Sequence, residues 1–161
     1  MALRVTDIDA PREPLDRSDA YLKLSVDWRP GALGLEPLHY YLRDRAGATQ
    51  GYVELKVSAH TGEVCALVLI TEPRARTAMP PLDVPAKPGT VWVDVTAWMG
   101  FDQIDEVGDL AVAEGEGSTY YAFSRAQPVK WVVAGFVRFG VGLGEELVGV
   151  LVEQDRKGQH W

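Results

Sequence analysis

Residues 52–70 read Tyr-Val-Glu-Leu-Lys-Val-Ser-Ala-His-Thr-Gly-Glu-Val-Cys-Ala-Leu-Val-Leu-Ile, and their pattern decides the fold class. Val53, Leu55 and Val57 alternate with Tyr52, Glu54 and Lys56, the period of two that a strand with one buried face requires. His60-Thr61-Gly62 supplies a turn, so the stretch is a hairpin. Its second arm, Val64 to Ile70, is apolar on both faces, which predicts a central strand covered on both sides.

The same period extends in both directions along the chain. Upstream, Leu38, Tyr40 and Leu42 alternate with His39, Tyr41 and Arg43, and Leu22, Leu24, Val26 and Trp28 alternate with Tyr21, Lys23, Ser25 and Asp27 before a turn at 29–31. Residues 1–20, charged and interrupted by Pro11 and Pro14, hold neither period and predict an extended arm without chemistry. Downstream, Pro73, Pro80, Pro81, Pro85 and Pro88 make 73–89 a long surface crossover, because each ring removes a backbone donor that helix or ladder would use. Thr90 to Trp98 then reads as a strand with Val91, Val93 and Val95 inward and Trp92, Asp94, Thr96 and Trp98 on the opposite face. Gly100 to Gly108 reads as a short helical turn. Asp109–Glu114 and Ser118–Arg125 read as strands joined at Gly115-Glu116-Gly117. Lys130–Val141 and Glu145–Gln154 are the longest strand candidates, joined across Gly142-Leu143-Gly144. The segments 53–64 and 137–147 share a spacing that turn chemistry explains without duplication. The tail, 155–161, is polar except for Trp161. The expected fold is mainly β: a single domain over 21–154, an antiparallel sheet folded into a sandwich or irregular barrel, with little helix.

Composition narrows the function. The chain has 161 residues, 47% hydrophobic, with a formal net charge of -7. No apolar stretch approaches the roughly 20 residues that span a bilayer, so no membrane association is expected. Arg4, Asp7 and Asp9 stand where a secretory signal would need an apolar run, and the single cysteine, Cys65, offers no disulfide; the expected location is cytoplasmic. Gly140-Val141-Gly142-Leu143-Gly144-Glu145 precedes a valine-rich strand instead of the helix whose amides hold a phosphate. His39, His60 and His160 are isolated, and Asp102, Asp105, Glu106 and Asp109 lack the alternating spacing of a calcium loop. Cys65 lies in the most apolar strand, and Ser58, Ser118 and Ser124 have no nucleophile elbow. No catalytic residue, metal or cofactor is expected from these motifs, and the reading leans toward a binder while leaving an enzyme as the alternative.

One feature of the charge pattern points to a partner. Between Lys87 and Arg125 there is no Lys, Arg or His, while seven acids lie there: Asp94, Asp102, Asp105, Glu106, Asp109, Glu114 and Glu116. They equal the net charge, and the remaining sixteen acids balance sixteen bases. The window also holds Trp92, Trp98, Phe101, Tyr120, Tyr121 and Phe123. Acids beside rigid rings suit a basic protein partner and repel nucleic acid. The expected partner-binding residues are Trp92, Asp94, Trp98, Asp102, Asp105, Glu106 and Asp109. In size, charge and style the chain resembles the small acidic immunity proteins that bacteria encode beside polymorphic toxins. That resemblance implies occlusion of a basic toxin domain and transfers no individual residue. The alternative is a small β-barrel enzyme or carrier, similar to the cyclase barrels of bacterial secondary metabolism, holding an apolar small molecule. Tyr40, Tyr121, Phe123, Trp131 and Phe139 would line its cavity with Trp92 and Trp98, and Asp94 or Glu54 would be the polar anchor.

Overall fold

A computed structural model describes residues 3–28 and 37–154, and the expected turn at 29–31 and polar tail with Trp161 lie outside the described residues. In chain order the strands are β1 (Val5–Asp9), β2 (Leu15–Asp16), β3 (Leu24–Asp27), β4 (Leu38–Asp44), β5 (Tyr52–Val57), β6 (Val64–Thr71) and β7 (Ala86–Pro88). There follow β8 (Thr90–Val93), β9 (Gln103–Gly108), β10 (Ala111–Gly115), β11 (Ser118–Ala122), β12 (Lys130–Ala134), β13 (Val137–Val141) and β14 (Leu147–Glu153). Among the described residues these make a first six-stranded sheet, β2-β3-β6-β5-β4-β9, a second, β10-β11-β14-β13-β12-β7, and a ribbon, β1-β8. The protein is mainly β, in three sheets that do not close into a barrel, consistent with a sandwich. No described helix is long and apolar enough to cross a membrane.

The hairpin at 52–70 forms as its alternation requires. Val53, Leu55 and Val57 are buried, and Leu55 pairs with Leu67. Gly62, at φ +83, turns the chain between the arms. The inward faces of the two sheets share one core, in which Trp28 meets Phe139 with ring centroids 5.4 Å apart and donates its indole N–H to the Ala134 carbonyl at 3.1 Å. The ribbon spans one side. Val5 N–H donates to the Glu145 carbonyl at 2.6 Å, and Val93 N–H to the Gly62 carbonyl at 2.8 Å, so β1 and β8 tie the second sheet to the 52–70 turn. Leu3 and Val5 are buried in the core, so part of the expected arm is a structural strand. Farther along it, the Arg12 guanidinium lies 2.8 Å from the buried Glu63 carboxylate.

Five local expectations are corrected. β6 is central, but Val68 is half-buried and Ile70 exposed, so its outer face is not covered. Ala86–Pro88 inside the proline-rich crossover does join a ladder, parallel to β12, at a sheet edge where a proline needs no donor on its free side. The strand expected over Thr90–Trp98 stops at Val93 and continues as a 3-10 turn, Val95–Trp98. Gly100–Gly108 contains β9, an edge strand parallel to β4, not a helical turn. Lys130–Val141 is two strands, because Gly135 at φ +72 reverses the chain between Ala134 and Val137.

The second sheet is covered on its outer face too. Tyr120, Trp131 and Leu151 form a separate cluster there, against Met79 and Val84 of the crossover. Tyr120 and Trp131 meet edge to face at 5.9 Å, and the Trp131 indole donates to the Pro81 carbonyl at 3.2 Å. The paired glycines Gly140 and Gly149 leave room for these rings: a Cβ on Gly149 would lie 2.3 Å from the Tyr120 hydroxyl.

Candidate functional site

Asp94 ends β8 by chemistry local to three residues. Its carboxylate accepts from Thr96 N–H at 3.0 Å and from the Thr96 hydroxyl at 2.7 Å, competing with continued strand. Those bonds hold the Asp94 carboxyl below its ordinary value of 3.8, the Thr96 hydroxyl being the larger cause. Stabilisation from this group is therefore present above its unfolded pKa and is lost as pH falls through the lower folded one. A carboxyl-carbon NMR titration of Thr96→Val is expected to show Asp94 titrating at higher pH than in the parent; an unchanged midpoint would remove the hydroxyl as the cause.

The turn after Asp94 reorients the tryptophans. Trp98 is 2% exposed, its indole N–H donates to the His39 carbonyl at 2.9 Å, and its ring meets Tyr40 edge-on at 6.4 Å. Trp92 is half-buried on β8. The single face expected to carry Trp92, Asp94, Thr96 and Trp98 does not exist, because the strand that would have made it ends at Val93.

Past Trp98 the chain emerges. Met99 takes a left-handed φ of 54 and is 83% exposed, and Phe101 is 72% exposed. Asp102 then leads into β9, whose residues alternate: Gln103, Asp105 and Val107 are exposed, Ile104 and Glu106 half-buried. Gln103 donates to the Asp105 carboxylate at 2.6 Å. Glu106 turns inward to a hydrogen bond with Tyr40; burial chiefly, and then this carboxylate, raise the Tyr40 phenol far above its usual range. Glu106 is thereby withdrawn from the docking surface expected of it.

Asp109 is withdrawn by charge. Arg45 lies 3.2 Å from one of its oxygens and Arg125 3.5 Å from the other, and Arg76 stands 3.6 Å from Glu114. Arginines from outside the cation-free window thus answer two of its acids. Glu114 and Glu116 belong to the β10–β11 hairpin of the second sheet, whereas Asp102 and Asp105 lie at the β9 edge of the first. Of the expected acidic surface, Asp102 and Asp105 remain exposed without an ion pair among the described residues, with Met99 and Phe101 in the same turn and strand.

Sequence reasoning missed one neighbouring feature. On the outer face of the first sheet Tyr41 stacks on His39 at 5.9 Å and meets Tyr52 at 5.9 Å, while His39 Nδ1 lies 2.7 Å from Glu54. Burial first, and then the hydrogen bond with Glu54, raise the Tyr41 phenol. The outward alternation of adjacent strands was the available signal.

The cavity reading fares differently. Tyr40, Tyr121, Phe123 and Phe139 are packed into the shared core. Trp131 is corrected to the opposite face of its sheet: Val132 pairs with the inward Phe139, so its neighbour Trp131, paired with Gly140, points away. A cleft of about 230 Å³ opens beside Tyr40 and Phe123, with Arg45 and Asp109 at its rim. The chain matches no known protein-family model and no curated protein.

Proposed function

We propose that this chain is a protein-binding module that docks a basic partner at the turn and edge strand from Met99 to Val107, neutralising it by occlusion as an immunity-type protein does. One observation carries the reading: two large apolar side chains, Met99 and Phe101, stand largely in solvent beside Asp102 and Asp105, whose charges meet no described cation. Such a solvated ring gains most from burial against a partner, while unpaired carboxylates steer a basic surface toward it. Carriage of an apolar small molecule ranks second. The two larger clefts, of about 660 and 600 Å³, are edged by charged side chains such as Asp19, Lys23 and Glu72 in one and Arg45, Arg76 and Arg125 in the other. The cleft beside the expected cavity residues Tyr40 and Phe123 holds only about 230 Å³, below the roughly 300–1,000 Å³ typical of ligand pockets.

The test is co-expression with a basic domain encoded in the adjacent reading frame, followed by purification and affinity measurement. A complex is expected, and Phe101→Ala is expected to weaken it by about thirtyfold, corresponding to about 2 kcal/mol for a central aromatic anchor. A complex whose affinity is indifferent to both Phe101→Ala and charge reversal at Asp102 and Asp105 would overturn the proposal.

A further inference from the structure

The free edge of a sheet is a row of backbone donors and acceptors open to another strand, and proteins protect such edges by shortening, covering or interrupting them. Three of the four edges of the two large sheets show that protection. β2 is two residues long, and β7 is three residues ending in Pro88. β10 is occupied at Val112, whose N–H donates to the Ala75 carbonyl at 2.9 Å and whose carbonyl accepts from Thr77 at 3.0 Å. β9 is six residues long and, among the described residues, pairs only with β4.

Its polar groups can be assigned to sides. The carbonyls of Asp102 and Gly108 accept from His39 and Arg45 of the β4 side at 2.8 and 3.0 Å. Backbone groups of alternate residues point to opposite sides of a strand, so the even-numbered positions face β4. The N–H and C=O groups of Gln103, Asp105 and Val107 therefore face away from the sheet.

We infer that β9 receives an extended segment of the partner as a seventh strand, and that this segment carries lysine or arginine at alternate positions. The inference rests on the docking reading above and adds the mode of engagement. Main-chain pairing supplies attachment, and cations on the face of β9 that Gln103, Asp105 and Val107 share meet Asp105 there and supply selectivity. Asp102, of the opposite parity, adds to the negative field at the start of the strand. A second copy of this chain is the poorer occupant. Two-fold pairing of edges is antiparallel, and a pair centred on Asp105 would set two Asp105 carboxylates against each other.

The probe is a capped heptapeptide of alternating lysine and threonine, added to the isotopically labelled full chain at low salt. Amide exchange at Gln103, Asp105 and Val107 is expected to slow at least tenfold, and a glutamate–threonine counterpart to leave it unchanged. Val107→Pro, which removes one outward donor and keeps both acids, should weaken binding at least tenfold, whereas Val107→Thr should retain it. Exchange on the parent chain makes the test independent of how well the proline variant folds. Binding that is lost on reversal of Asp102 and Asp105 to lysine, yet leaves those three amides unprotected, overturns strand addition and spares the docking reading. Absence of charge-dependent binding removes both.

Discussion

Replacing Gly62 with alanine is expected to destabilise the protein by about 3 kcal/mol. The left-handed backbone, φ +83, costs an L-residue roughly 1–2 kcal/mol. The added Cβ would also lie 2.2 Å from the Val93 carbonyl oxygen, a backbone atom with no rotamer to yield. Relief requires β8 to move, which strains the 2.8 Å bond from Val93 N–H to the Gly62 carbonyl, worth about 1 kcal/mol. Gly117→Ala is the internal control: its φ is +76, but no atom lies within 4 Å of an added Cβ, so only the backbone cost of roughly 1–2 kcal/mol applies. Urea unfolding of the two variants separates the contributions. Equal losses would mean that the ribbon's contact with the hairpin turn contributes nothing.

Trp131→Ala carries the other large effect, about 3–5 kcal/mol, as for deletion of a buried indole. It removes the centre of the cluster that seats the proline-rich crossover, along with the bond to the Pro81 carbonyl. Met79 and Val84 lose their support, so tryptic cleavage at Arg74 or Arg76 is expected to accelerate in the variant. Trp131→Phe keeps most of the apolar area and should cost clearly less. A Trp131→Ala protein that unfolds within about 1 kcal/mol of the parent, with unchanged cleavage, would show that the crossover is not held by this ring.

These two positions also mark how far local sequence reading reaches. β4 and β5 lie at 38–44 and 52–57 because their alternation is carried by adjacent residues and needs no distant partner. β9 escaped notice because its defining neighbour, β4, is some sixty residues away and its two inward positions hold Ile104 and the carboxylate of Glu106. The break at Asp94 was visible in principle: an aspartate two residues before a threonine is a local hydrogen-bonding pair that competes with strand. Gly135, inside a valine-rich run, was likewise a turn signal. The charge window failed for a different reason. A run without cations along the chain says nothing of cations folded against it, and Arg45, Arg76 and Arg125 arrive from outside to meet Asp109 and Glu114. What survives of the candidate site, Asp102 and Asp105 beside Phe101, is the part held on one continuous turn and strand.

The proposed docking surface is tested most directly by the association rate of a basic domain encoded in the adjacent reading frame, measured across ionic strength with the parent chain and with Asp102→Lys/Asp105→Lys. Steering by these carboxylates requires association that slows steeply with salt in the parent, and at least tenfold slower association in the reversed variant at low salt, with the thermal transition preserved. Identical rates and salt slopes in the two proteins would contradict docking at this edge.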